Sequence, residues 1–295
     1  MAASEPSPGA GEAQEGRIAV IAGGGALPVA VVRTLLARGR KPLVAVVSGE
    51  AETADFGGAD TFPVSVEDVG PFLARLRAEG VRRVVMAGSI ARRPRLSRIR
   101  WSLPLLLDLP RIAAGLLRGD DGLLRTVIHI IEAQGMRVVA ADEVVPDLLT
   151  PEGCLTRARP SASDQRDIDA AAIAARAIGR LDIGQAAIAI GGRAIALEGI
   201  EGTDGLLART AGMRGHGRLA GKSGGVLVKC CKPQQDRRAD LPAIGPDTVT
   251  AARAAGLAGI ALDSGRSFIL DFERTVALAD EVGLFIVGLT GGEAE

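Results

Sequence analysis

The sequence contains no tyrosine, and aromatic residues make up only 2% of its 295 residues. Proteins that hold single-stranded nucleic acid stack the bases on aromatic side chains, so this chain lacks the residues for such a platform. Lysine plus arginine and aspartate plus glutamate both total 35, which leaves no formal net charge. Without an overall basic field, the composition does not predict a nucleic acid partner. Any recognition of an anion must be local.

Cysteine and histidine are also scarce. Cys154, Cys230 and Cys231 are the three cysteines, and only two histidines accompany them. The adjacent pair lacks the spacing of a zinc site, so we expect reduced thiols in a cytoplasmic protein. No apolar run reaches the length of about 18 residues that spans a bilayer. Residues 1–16 have neither a basic start nor an apolar segment, which predicts a disordered tail and no signal peptide.

The first half of the chain alternates short apolar runs with helical patterns. Apolar spacing predicts helices at 27–38, 66–78 and 123–133, between strands at 17–22, 42–47, 61–64, 83–87 and 137–141. Such alternation is typical of a parallel sheet with helices on both faces. We therefore predict a Rossmann-like, nucleotide-binding α/β domain over residues 17–150.

A proline- and glycine-containing segment, residues 151–163, predicts a linker to a second domain over 164–290. There the pattern predicts helices at 164–179, 203–209, 247–255 and 273–281, a hairpin of strands 185–190 and 194–197, and further strands at 225–231, 259–262, 267–270 and 284–287. This is a mixed α/β (α+β) domain, and we expect it to be catalytic. Its strand order stays open.

Three glycines, Gly23, Gly24 and Gly25, follow the first strand and lead into a helix. Glycine lets a backbone approach a ligand closely, and the free N–H groups of a helix start attract phosphate. The pattern departs from the dinucleotide fingerprint because Pro28, after Leu27, occupies the third glycine position. The loop predicts phosphate binding without identifying the phosphate, and a purely structural turn is the alternative.

Two acidic clusters begin helices. Asp120 and Asp121 precede one predicted helix, where an aspartate can also serve as a simple cap. Segment 198–204 contains three carboxylates in seven residues, with Glu201, Thr203 and Asp204 at the start of the next helix. Both clusters are candidates for substrate binding.

The densest cluster directly follows the predicted strand at 225–231. Its Asp236 and Asp240, beside Lys232 and Arg237, are suited to diphosphate chemistry. Carboxylates hold Mg²⁺, which bridges phosphate oxygens, and lysine and arginine donate to the remaining oxygens. A solvated charged loop is the alternative.

A basic and apolar stretch lies at residues 92–107. Five arginines fall within nine residues, and Trp101 and a leucine-rich run follow them. This combination suits the headgroups of an anionic membrane, or a lipid substrate with phosphate and acyl parts. An ordinary charged loop leading into the core is the alternative.

Together these elements resemble the LpxI-type UDP-2,3-diacylglucosamine pyrophosphatase family. Four motifs carry the resemblance, which covers nearly the whole chain after the tail: IAGGGALP at 21–28, GDD at 119–121, EGIEGTD at 198–204, and the segment from KPQQD at 232–236 to Gly245-Pro246. The third motif is distinctive, and the fourth is the most specific.

The resemblance implies hydrolysis of a lipid nucleotide, UDP-2,3-diacylglucosamine, to UMP and 2,3-diacylglucosamine 1-phosphate. It also implies Mg²⁺ dependence, a substrate cleft between the two domains, and peripheral contact with the cytoplasmic face of a bacterial inner membrane. Asp236 and Asp240 would form the catalytic pair and hold the metal, with Glu201 and Asp204 facing them. The substrate contacts would be Gly23, Gly24, Gly25, Leu27, Asp120, Asp121, Glu201, Thr203, Asp204, Lys232, Gln235, Arg237 and Thr248.

Two other functions stay open from the residues alone. A nicotinamide-dependent oxidoreductase is favoured by the strand, glycine loop and helix, but Pro28 and the lack of a tyrosine weaken it. A non-enzymatic nucleotide-sugar sensor or membrane adaptor is favoured by the stretch at 92–107. The sequence leaves open which phosphorus is attacked and whether the chain forms a homodimer.

Overall fold

The computed structural model describes residues 16–90, 120–219, 221–232, 238 and 241–290, apart from the side chains of Asp120, Asp121 and Leu123. Contacts divide the chain into two units. The described part of the first comprises residues up to 146 together with Arg238, and the second comprises the remaining residues from 147 onward.

A parallel five-stranded sheet forms the centre of the first unit. Its order is β3-β2-β1-β4-β5. The strands are β1 (Arg17–Ala22), β2 (Leu43–Val47), β3 (Asp60–Val64), β4 (Val81–Ala87) and β5 (Arg137–Val139). All five residues of β2 are buried, as expected for a strand covered on both faces. The predicted Rossmann-like parallel sheet is confirmed.

Helices cover this sheet. They are α1 (Leu27–Ala37), α2 (Val69–Ala78), α3 (Asp120–Glu132) and the short α4 (Ala141–Val144). α1 buries Val31, Val32 and Leu35, and it contacts β1 and β4. Helix α2 begins three residues later than predicted because the chain first makes a turn, in which the amide of Asp68 donates to the carbonyl of Ser65 at 3.0 Å.

The second unit contains a six-stranded mixed sheet of order β6-β13-β11-β9-β7-β8. Its strands are β6 (Gly153–Cys154), β7 (Ala186–Ala189), β8 (Ala194–Leu197), β9 (Val226–Lys229), β11 (Gly259–Asp263) and β13 (Phe285–Leu289). β9, β11 and β13 are parallel to one another, and β6, β7 and β8 each pair antiparallel with a neighbour. β10 (Ala243–Ile244) and β12 (Phe268–Ile269) form a separate parallel pair. The predicted mixed domain and its hairpin are confirmed.

Helices pack on both faces of this sheet. They are α5 (Ala162–Arg180), α6 (Gly202–Gly212), α7 (Pro246–Ala254) and α8 (Phe272–Val282). Because strand side chains alternate between faces, Val228 packs in a cluster with Ile168 of α5, whereas its neighbour Leu227 packs with Leu206 of α6 and Val249 of α7. The unit therefore has three layers, with the sheet in the middle.

The segment expected to be a linker, residues 151–163, takes part in the second unit. Its strand β6 pairs with β13, where the Cβ of any larger residue at Gly288 would lie 1.8 Å from the carbonyl oxygen of Pro151. Its Ser161 caps α5, since the amide of Asp164 donates to the Ser161 hydroxyl at 3.3 Å. Within the described ranges, no helix has the length and apolar character needed to cross a bilayer.

Candidate active site

The glycine loop is bound to the end of β4. The amide of Gly23 donates to the carbonyl of Ala87 at 2.9 Å, and the amide of Gly24 donates to the carbonyl of Ser89 at 2.7 Å. A Cβ on Gly23 would lie 2.4 Å from the Ser89 oxygen. These two glycines therefore hold the turn together, and their N–H groups are already used.

Gly25 differs from its neighbours. Its φ is +92°, a conformation that favours glycine, and nothing lies within 4 Å of a Cβ built there. The loop sits where the strand order reverses between β1 and β4, the usual ligand site of a parallel α/β sheet. Leu27, by contrast, is 7% exposed and belongs to the core. Among the loop residues, Gly25 and Ala26 are exposed and have room for a ligand directly before α1.

In the second unit, a buried carboxylate organises the loop after β8. Glu198 is 6% exposed. One of its oxygens accepts the Thr203 hydroxyl at 2.7 Å, and the other accepts the amide of Gln185 at 2.8 Å. A Cβ at Gly184 would lie 2.4 Å from the Glu198 carbonyl oxygen, so glycine is required there. Segment 198–203 is thus fixed to the residues that precede β7.

Glu201 points to the surface. It forms an ion pair with Arg209 at 2.5 Å, and the pKa of its carboxyl is lowered first by its own backbone N–H and then by Arg209. Asp204, in the first turn of α6, is exposed. An open surface depression of about 630 Å³ adjoins the pair and is lined by Ile183, Leu197, Glu198, Gly199, Glu201, Gly205 and Arg209. It offers both apolar and charged contacts.

The carboxyl ends of β9 and β11 carry a second buried carboxylate. Asp263, the last residue of β11, is 2% exposed. Its Oδ1 accepts from Arg176 at 3.2 Å, and its Oδ2 accepts the amide of Cys231 at 2.9 Å. The candidate residue Lys232 follows at once, and its Nζ pairs with Asp182 at 2.6 Å. Asp263 is not among the site residues predicted from the sequence.

Both units match known protein families. Residues 17–148 match the LpxI N-terminal domain, and residues 151–287 match the LpxI C-terminal domain. The UDP-2,3-diacylglucosamine pyrophosphatase LpxI of Caulobacter vibrioides is 39% identical over 281 residues, which cover 92% of this chain and 97% of that protein. The chain belongs to the LpxI family.

This membership confirms the resemblance inferred from the four motifs. Among solved structures, gox2253 aligns with 91% of this LpxI-family chain and 75% of its own, at 12% identity and a TM-score of 0.33. A similarity of that size carries no argument about fold or chemistry.

Several of the candidate residues of this LpxI-family chain lie outside the described residues. These are Gln235, Asp236, Arg237, Asp240, the side chains of Asp120 and Asp121, and the whole stretch at 92–107. Arg238, which is described, donates to Glu132 at 3.0 Å. Thr248 accepts the amide of Gly245 at 3.4 Å at the start of α7, which is a capping contact. The proposed binding and catalytic roles therefore stay predictions.

The described residues contain no group of three or more histidine, cysteine or acidic side chains that could hold a metal ion. Asp263 already uses one oxygen for Arg176 and the other for Cys231. Burial, followed by the charge of Asp263, raises the pKa of the Cys230 thiol to about 12. Cys230 therefore stays protonated, and it is unsuited to act as a nucleophile or a ligand at neutral pH.

Proposed function

We propose that this protein hydrolyses the diphosphate of UDP-2,3-diacylglucosamine, a lipid nucleotide, to UMP and 2,3-diacylglucosamine 1-phosphate in lipid A biosynthesis. The observation that carries the proposal is the 39% identity to an LpxI pyrophosphatase over 92% of the chain. Both LpxI domains are matched, so neither half of the relative is missing here.

Asp236 and Asp240 are the proposed catalytic pair. Their segment follows β9 along the chain, after the carboxyl end of a strand in a parallel run of three. Enzymes with open α/β sheets bind ligands outside the carboxyl ends of their strands. The buried anchor between Asp263 and Cys231 stands at this end of the sheet, which supports a built site there.

Mg²⁺ dependence is part of the proposal, with Asp236 and Asp240 as the ligands. The donor chemistry fits, because carboxylate oxygens are what Mg²⁺ prefers while it keeps several of its waters. When bound, the ion would offset phosphate charge and lower the pKa of a bound water. Lys232 would donate to phosphate oxygens. Its ammonium has three donors and only one is needed for the pair with Asp182.

Substrate contacts are proposed at two places. Gly25, just before the N-terminus of α1, would receive phosphate of the nucleotide, supported by the open space there. Glu201, Thr203 and Asp204 would contact substrate in the second unit, supported by the open depression that Glu201 lines.

We also propose that the protein is cytoplasmic and binds the inner face of the membrane peripherally, through the stretch at 92–107. Clustered arginines beside tryptophan and leucines are suited to anionic headgroups, and the proposed substrate is a lipid. The protein should sediment with vesicles that contain anionic phospholipid and remain in solution with neutral vesicles. Equal sedimentation with both would remove this part of the proposal.

The reaction is tested by incubating purified protein with UDP-2,3-diacylglucosamine, with Mg²⁺ or with excess EDTA, and measuring UMP by chromatography. UMP should form only with Mg²⁺, and Asp236→Ala should abolish it. Asp280→Ala is the matched control, because Asp280 pairs with Arg157 elsewhere in the second unit. Full turnover by Asp236→Ala would remove Asp236 from the mechanism. Binding of NAD, seen as a rise in Tm, would instead favour the oxidoreductase.

A further inference from the structure

Asp263 occupies a central position in the second unit. It ends β11, whose neighbours are the parallel strands β9 and β13. Its side chain is 4% exposed, and both carboxylate oxygens are engaged. Its backbone carbonyl also accepts from Ser267, at 2.5 Å. The carboxylate is thus held by one donor on each oxygen, and the backbone beside it by Ser267.

Arg176 provides the charge that compensates Asp263. It projects from α5, and its guanidinium donates to Oδ1 at 3.2 Å while the side chain remains 33% exposed. Removing either partner of such a pair leaves the other poorly compensated, so the two act together. Arg176 therefore ties the end of β11 to α5.

The other oxygen of Asp263 holds the backbone where the candidate catalytic segment begins. The amide of Cys231 donates to Oδ2 at 2.9 Å in a buried position. The next residue, Lys232, pairs through its Nζ with Asp182 at 2.6 Å. The chain is thus held at two consecutive residues directly before the segment that carries Asp236 and Asp240.

We propose that Asp263, held by Arg176, is a positioning residue for the reaction. Through the Cys231 amide it fixes the start of the segment with Asp236 and Asp240, and it touches neither substrate nor metal. This inference rests on the proposed function. Its physical basis is that a misplacement of about 1 Å in a catalytic group can cost about 100-fold in rate.

Kinetics on purified full-length variants test the role. Asp263→Ala should lower kcat by about 100-fold with little change in KM, because the substrate contacts remain while the reacting groups are misplaced. Asp263→Asn keeps an oxygen that can accept the Cys231 amide but loses the ion pair with Arg176, so it should recover only part of that loss. Arg176→Gln should lower kcat in the same way, whereas Arg180→Gln, an exposed change on the same helix, should not.

Asp280→Ala is the control for loss of a carboxylate that accepts a backbone amide. Asp280 accepts the amide of Arg157 at 2.6 Å, a contact of the same kind far along the chain from the catalytic segment. It should leave kcat unchanged. Wild-type kcat in a folded Asp263→Ala variant would overturn the proposal. A raised Mg²⁺ requirement in Asp263→Asn with unchanged kcat at saturation would also overturn it, since Asp263 would then serve the metal.

Hydrogen–deuterium exchange at the Cys231 amide tests the hydrogen bond to Asp263 independently of the proposed function. Exchange should be faster in Asp263→Ala and close to wild type in Asp263→Asn and Asp280→Ala. If the wild-type protein releases no UMP, the proposed function fails, but this readout still decides whether Asp263 holds the segment. Unchanged exchange in Asp263→Ala would overturn the anchor even in an active enzyme.

Discussion

Thr203 Oγ1 donates a 2.7 Å hydrogen bond to Oε1 of Glu198, a carboxylate that is only 6% exposed. The opposite oxygen accepts the amide of Gln185 at 2.8 Å. Glu198 is therefore satisfied by two neutral donors, one from its own loop and one from the residue before β7. The segment that contains Glu201 depends on this buried contact for its position.

Glu198→Ala should lower the free energy of unfolding, because it leaves the part-buried Thr203 hydroxyl and Gln185 amide without this acceptor. Each such loss costs about 1–3 kcal/mol. Urea unfolding followed by circular dichroism measures the change. Glu201→Ala is the control, since Glu201 makes a surface pair that contributes little. Equal destabilisation by both variants would contradict the structural role of Glu198.

The glycines of the first loop should differ in what an alanine does. Gly23→Ala should destabilise the protein by about 1–3 kcal/mol, because its Cβ would lie 2.4 Å from the Ser89 carbonyl oxygen. Gly25→Ala meets no atom and is strained only by its φ of +92°, at a cost of about 1 kcal/mol. Thermal unfolding of both variants shows which substitution costs more stability. A larger loss for Gly25→Ala would refute the assignment of Gly23 to the turn.

Asp167 should make the stability depend on pH. It is 4% exposed and its Oδ1 accepts the Gly192 amide at 2.5 Å in the turn between β7 and β8. Burial raises its pKa above 3.8, although the Gly192 N–H opposes this. Folding therefore shifts Asp167 towards its protonated form, relative to the unfolded chain. The stability that the protonated Asp167 contributes is fully present below the pKa of the unfolded state. It is lost as the pH rises through the pKa of the folded state.

Asp167→Asn removes that titration. The free energy of unfolding of the wild type relative to Asp167→Asn should fall as the pH rises from the pKa of the unfolded state through the raised pKa of the folded state, and it should level off above that. Urea titrations at a series of pH values measure this difference. If this difference stays flat or rises with pH, burial does not dominate the pKa of Asp167.

The thiols should react at very different rates in the folded protein. Cys230 is 1% exposed and its pKa is raised to about 12, first by burial and then by Asp263. It should resist iodoacetamide at pH 8, while the half-buried Cys154 reacts faster. Mass spectrometry of digested samples locates the label, and urea-unfolded protein is the control in which all three should react. Rapid native labelling of Cys230 would contradict its burial.

Much of the fold follows from apolar patterning. β2, for example, is a continuous apolar run, and α1 repeats apolar residues at helical spacing. Pairing partners do not follow, because periodicity reports which face is buried and not which strand lies alongside. Strand β6 contains only Gly153 and Cys154, too short a run to show any period, and its pairing with β13 depends on the close approach permitted by Gly288.

The site was predictable only in part. Clustering of charge predicted Glu201 and Asp236 as site residues. It did not indicate that Glu198 holds its loop in place, and it did not select Asp263. Both are single carboxylates whose burial is set by tertiary packing. A signal for Asp263 did exist, since β11 reads Gly-Ile-Ala-Leu-Asp and an acid that ends a buried strand must find donors. Likewise, the sequence alone does not show that Gly23 holds the turn together while Gly25 has open space beside it. Only the contacts of the loop show this difference.

Product analysis tests the central claim, diphosphate hydrolysis of a lipid nucleotide, most directly. Purified protein is incubated with UDP-2,3-diacylglucosamine and Mg²⁺, and UMP and the lipid product are quantified together by mass spectrometry. Hydrolysis of the diphosphate predicts UMP and 2,3-diacylglucosamine 1-phosphate in equal amounts, at the expense of substrate. Intact substrate, or release of UDP in place of UMP, would contradict the claim.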